Sequence, residues 1–211
     1  MNDPNNSAVA QEPVIQNQSP QEKEDPSGEK KKRQKMKASR NVIVWARDIL
    51  IALVVALIIM QFIKPTIVRE HSMLDTLDPN DYIFLNKQAY FFGDVQRRDI
   101  VVFHSSLDAE DGTKKNLIKR VIALPGERVS IHDGGVYVND NRLYEPYTAE
   151  GFTEGEMQEF IVPDGQLFLL GDNRQQSTDS RDPRVGPVPE DLLVGKAFFR
   201  IIPLKNFGVI N

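Results

Sequence analysis

The 211-residue chain has no cysteine. Disulfides and thiolate metal sites are therefore excluded, and cysteine usage cannot report the redox compartment. Histidine is scarce. His71, His104 and His132 are scattered, form no i,i+4 pair and join no His-x-x-Glu cluster, so no metal site is expected. Sustained amphipathic helix periodicity is missing from residues 65–211, and internal repeats are missing throughout. Net positive charge is missing from the region expected to fold. The net charge of −4 divides into +2 for residues 1–40, 0 for 41–63 and −6 for 64–211. An acidic domain suits a phosphate backbone poorly, and nucleic acid is not an expected partner.

What is present falls into three segments. Residues 1–29 are rich in Asn, Gln, Pro, Ser and Glu, too polar to offset the entropy of ordering, so disorder is expected. The run "KKKRQKMKASR" (30–40) then carries seven basic side chains and no acidic one. Residues 41–64 hold a long apolar stretch. Val42–Ile63 would span roughly 33 Å as a helix, enough to cross a bilayer core. Trp45 suits the interface, and Arg47 and Asp48 lie near one end, where mutual pairing lowers their cost. About 40 polar residues precede the stretch, and "QFIKP" lacks a small-x-small cleavage pattern, which favours an uncleaved anchor over a signal peptide. The basic cluster predicts residues 1–40 in the cytoplasm and 65–211 outside, with one crossing of the lipid bilayer.

Residues 65–211 read as mostly β. Short runs rich in Val, Ile and Phe at 81–88, 99–105, 117–124, 128–139, 159–163, 166–171 and 196–203 are separated by turn residues. Asp133-Gly134-Gly135 signals a hairpin, and residues 189–195 suggest one helical turn. A compact antiparallel, barrel-like β domain is expected.

"VREHSMLDTL" (68–77) sets a serine just beyond the anchor. Serine there is ordinarily a turn or strand residue. Its neighbour His71 would point to the opposite face of an extended segment, and His104 and His132 have no recognisable triad setting. A lysine can serve instead, provided that burial disfavours its ammonium form. Lys119 sits in the apolar run "NLIKRVIALPGE", whereas Lys114 and Lys115 sit in a polar loop and read as solvated. An outward-facing strand position is the alternative for Lys119.

Four blocks, in order after the anchor, give the chain a resemblance to the bacterial type I signal peptidases, membrane-bound Ser/Lys endopeptidases that remove signal peptides from exported proteins. They are "HSMLDTL", "DYIFLNK", "RRDIVVF" followed by "KRVIALPGE", and "GDNRQQSTDSRDPRVGPV" (171–188). The resemblance implies that Ser72 is the nucleophile and Lys119 the general base. It implies that Ser177 orients the lysine by a hydrogen bond, that Asp179 and Arg181 support the site, and that Val68 and Ile118 line shallow apolar pockets for small substrate side chains. It implies secreted preproteins with small residues before the cleavage site as substrates, and no metal or cofactor. Without it, Asp179 and Arg181 would read as an ordinary polar turn, and Val68 and Ile118 as core.

Three positions depart from the family pattern. Asp75 stands where proline is usual, Glu70 where glycine or serine is frequent, and "RDPRVG" replaces an apolar residue plus glycine after Asp-Ser-Arg. A carboxylate near Lys119 would favour its ammonium form, so Glu70 is expected to turn away and pair with a cation such as Arg69 or Arg120. Two rival readings are a soluble repressor-type Ser/Lys autoprotease, which the anchor and the acidic domain disfavour, and a silent membrane-anchored β domain that binds exported chains.

Overall fold

The computed structural model describes residues 26–109 and 112–210. The tail expected to be disordered lies, up to residue 25, outside the described residues. Helix α1 spans Pro26–Phe62 and takes in the basic run. Within it Val42–Phe62 has a mean hydropathy of 2.6 and is long and apolar enough to cross a membrane. That stretch is 0% buried, which is foreign to the core helix of a soluble domain. Arg47 and Asp48 pair with each other at 2.8 Å.

Twelve strands follow among the described residues. They are β1 (Ile63–Ile67), β2 (Tyr82–Asn86), β3 (Ile100–Asp108), β4 (Lys114–Ala123), β5 (Arg128–His132), β6 (Gly135–Val138), β7 (Asn141–Arg142), β8 (Met157–Ile161), β9 (Gln166–Leu170), β10 (Val188–Pro189), β11 (Leu193–Ile202) and β12 (Gly208–Val209). Every pairing is antiparallel. One sheet runs β1-β2-β11-β3-β4-β9-β10 with β12 on β11, and a second runs β7-β6-β5-β8. The expected hairpin forms between β5 and β6, where Asp133 and Gly134 take positive φ of 49° and 68°. Residues 190–192 make the expected short turn, as a 3₁₀ helix.

The domain is antiparallel β, as expected, but the sheets do not close into a barrel. Closure requires the terminal strands to pair. Here β1 pairs with β2 alone, and β10 offers only two residues to β9. Strand β1 was not anticipated, because "IKPTI" continues the apolar stretch and contains Pro65. Proline is tolerated there because β1 is an edge.

Strand alternation builds the core on both faces of the large sheet. On β3, Ile100 and Val102 join Val68, Met73, Leu77, Ile83 and Leu85. Val101 and Phe103 point the other way, to Leu117, Val121, Leu167 and Leu169. Residues Phe168 and Leu170 of β9 meet Val129, Ile131, Val136 and Val138, which seats the small sheet on the large one.

Arg120 and Asp172 form a fully buried ion pair within this core. Two guanidinium N–H groups donate to the carboxylate at 2.9 and 2.7 Å, and Thr76 Oγ1 donates to it at 2.6 Å. The guanidinium also stacks 4.0 Å above the Tyr147 ring. The cluster ties the segment after Ser72 to β4 and to the turn after β9. Asp172→Ala would leave a buried guanidinium uncompensated, a loss of about 3–5 kcal/mol. The expected outcome is a large fall in the denaturation midpoint of the detergent-solubilised protein. Arg120→Met/Asp172→Leu should recover most of that loss, and a double variant as unstable as Asp172→Ala would contradict the argument.

Candidate active site

Ser72 follows β1 in a tight series of turns. Leu74 N donates to His71 O and Leu77 N to Met73 O. Asn173 holds the same turn from across the site, its N–H on Ser72 O and its side-chain amide on His71 O, both at 3.1 Å. Met73 and Leu77, both 0% exposed, anchor it from below. The segment is therefore fixed without the proline that Asp75 replaces, and Asp75 itself is exposed.

Lys119 lies opposite Val101 in the β3–β4 ladder, on the face it shares with Leu117 and Val121. It is 0% exposed, and its Nζ donates to Ser72 Oγ at 2.7 Å and to Ile118 O at 3.0 Å. Burial pushes the Lys119 ammonium down to about 8, against opposing effects of Asp179, Glu70 and Asp172, while the positive charge of Lys115 adds to the lowering. A serine hydroxyl touching an amine of this kind can lose its proton as it attacks a carbonyl. Among the described residues no histidine hydrogen-bonds Ser72. His71 and His104 are exposed, and His132 stacks on Tyr137.

The remaining candidates divide. Asp179 is buried, accepts Gly171 N–H at 3.0 Å, and receives two parallel bonds from Arg181, both at 2.9 Å. Arg181 also donates to Arg174 O at 2.8 Å, which closes the turn. Val68 belongs to the buried core, and Ile118 packs against the same cluster, so the two share one apolar wall. Ser177 departs from its expected geometry. Its Oγ is buried and has no hydrogen-bond partner, so the bond to Lys119 is not made here.

Glu70 is paired with a cation, as expected, but that cation is Lys115 rather than Arg69 or Arg120. Arg120 is committed to Asp172 on the buried side. Lys115, read as solvated, is 41% exposed and also pairs with the carboxylate.

Sequence reasoning missed Gly171. A Cβ built there would stand 2.2 Å from Ser177 Oγ and 2.4 Å from Ser72 O. The missing side chain is what lets the two serine segments converge. Gly171→Ala is expected to displace Ser72 and abolish turnover. Because Ser177→Ala removes only the Oγ clash and leaves those with Ser177 Cβ, at 2.6 Å, and with the Ser72 carbonyl oxygen, Gly171→Ala/Ser177→Ala should recover little. Near-normal cleavage by Gly171→Ala would show that this approach is not required.

Comparison with known proteins bears on what this arrangement does. The family described as "Signal peptidase, peptidase S26" matches residues 42–202. Signal peptidase I of Bacillus amyloliquefaciens is 33% identical over 195 residues, 88% of this chain and 96% of that relative. Signal peptidase I T of Bacillus subtilis (strain 168) is 32% identical over 180 residues, 81% and 90% of the two chains. Probable signal peptidase I-1 of Synechocystis is 38% identical over 167 residues, 77% and 84% of the two chains. A crystal structure of a signal peptidase I from Enterococcus faecalis V583 is 33% identical, with a TM-score of 0.40, covering 49% of this chain and 97% of that one. A match across most of the chain, with relatives aligned over most of their own length, makes this protein a member of the signal peptidase family, peptidase S26.

Proposed function

We propose that this signal peptidase cleaves exported preproteins by a Ser72/Lys119 dyad at the outer face of the plasma membrane. The observation that carries the proposal is the Lys119 amine, fully buried, with a lowered pKa and 2.7 Å from Ser72 Oγ. Ser72 Oγ attacks the scissile carbonyl as Lys119 Nζ takes its proton. Backbone N–H groups, that of Ser72 among them, stabilise the oxyanion. Lys119 then protonates the leaving amine, and water, deprotonated by the same lysine, hydrolyses the acyl-enzyme.

The sheet supplies a seat for an extended substrate. Among the described residues, the edge of β1 away from β2 carries no strand, and β9 pairs with β4 only from Arg120 onward, leaving one edge of residues 114–118 open. Open edges accept an extended peptide as an added strand. The Val68–Ile118 wall would favour small side chains before the cleaved bond.

The basic run at 30–40 keeps the N-terminus cytoplasmic. The helix over Val42–Phe62 spans the bilayer, so residues 65–211 work where a preprotein's signal segment emerges.

Ser72→Ala and Lys119→Ala are each expected to lower kcat by several orders of magnitude, with the double variant hardly worse than either, because the two groups act as a unit. Lys119→Arg should fail too, since guanidinium stays protonated. Only the free amine accepts a proton, so kcat/KM should rise with pH along an acid limb centred near pH 8, the value to which burial brings Lys119. Cleavage of a preprotein carrying Ala-x-Ala before the junction reads all of these. Substantial turnover by Lys119→Ala would overturn the dyad. Protease added to intact spheroplasts should reach the large domain and spare residues 1–40, and the reverse pattern would overturn the topology.

A further inference from the structure

Glu70 stands two residues before Ser72, and Lys115 four residues before Lys119 on β4. Their ion pair is a second rung between the two chain segments that the Lys119–Ser72 contact already joins. Four residues along a strand are roughly 13 Å, so Lys115 binds the carboxylate from the start of β4, while Glu70 still acts on the Lys119 amine. Both partners line a polar groove beside the site, with Arg69, His71, Gln176 and Thr178.

We propose that Lys115 is a positioning residue, which binds the Glu70 carboxylate and weakens its effect on Lys119, so that this chain tolerates an acid next to its nucleophile. The proposal rests on the reading of Lys119 as the general base.

The charges facing Lys119 come from three directions. Asp179, on the turn after β9, is held by Arg181. Asp172, at the start of that turn, is held by Arg120. Glu70, before Ser72, is held by Lys115. All three carboxylates favour the Lys119 ammonium, and Lys115 opposes it. Asp172 is buried together with Arg120, and Asp179 is buried while Arg181 is 21% exposed. The Glu70–Lys115 pair is 35% and 41% exposed, so it is the pair that can be altered without breaking the core. Its exposure also screens it, and the expected effects are correspondingly small.

Removing Lys115 frees Glu70 to stabilise the ammonium, which raises the Lys119 pKa and moves the acid limb of kcat/KM to higher pH. The full-length protein in detergent micelles, with a preprotein substrate, tests this across pH. Lys115→Gln should shift the limb upward by roughly half a unit. Lys115→Arg should hold it in place. Glu70→Gln should move it downward, and Glu70→Gln/Lys115→Gln should lie below Lys115→Gln alone. An unmoved limb in Lys115→Gln, or a double variant that keeps the full upward shift, would overturn the proposal. Lys119→Ala, run in parallel, separates the two readings. If it is inactive while Lys115→Gln is unmoved, the positioning role alone fails. If it is active, the dyad itself fails.

Discussion

A lysine amine kept from water at 0% exposure, in contact with Ser72, is the feature around which the domain is organised. The lysine occupies β4, between β3 and β9 in the large sheet, with Leu117 and Val121 beside it on the same face. Desolvation is the largest influence on it and acts to lower its pKa. The surrounding polar groups work against that lowering. Asp179, Asp172 and Glu70 all favour the ammonium, yet each is bound to a cation of its own. Without those cations, the three carboxylates would oppose the effect of burial more strongly.

The same ion pairs also hold the backbone. Arg120–Asp172 bonds to Thr76, five residues beyond His71, and so fixes the loop that carries Ser72. Asp179–Arg181 fixes the turn that begins at Gly171, where the serine segments press together. Electrostatics and positioning are thus supplied by the same side chains. Buried ion pairs are weak evidence of stabilisation as such, because desolvation offsets much of the attraction. Here they supply geometry, aiming the chain at one place on β4.

Much of this was legible in the sequence. The strand runs, the Asp133-Gly134 hairpin and the apolar helix follow from periodicity and turn chemistry. The pairing of Arg47 with Asp48 follows from their adjacency. Lys119 stood out because it interrupts an apolar run, although alternation alone left it free to face outward. The resemblance to signal peptidases put Ser72 opposite it. What was hidden depends on distance between segments. Lys115 reads as solvated from its loop neighbours, and only the folding of the 68–77 segment against β4 brings Glu70 to it. Arg120 offers no sequence signal of its partner 52 residues away. Gly171 looks like any turn glycine, whereas its role is to leave room. Barrel closure failed as an expectation because strand patterns report alternation but not whether the first and last strands meet.

The open edges that defeat the barrel are also the edges at which we propose that a peptide is seated. An unpaired edge is a liability, because it invites association with any extended chain. On β1 the edge is short, contains Pro65, and begins directly after the helix ends at Phe62. On β4 the open stretch carries Lys114, Lys115 and Asn116, charged and polar residues of the kind that discourage sheet-to-sheet pairing. The two roles proposed for Lys115 are therefore compatible. Under the two proposals above, it guards an edge open to a peptide, and it binds a carboxylate that would otherwise act more strongly on Lys119.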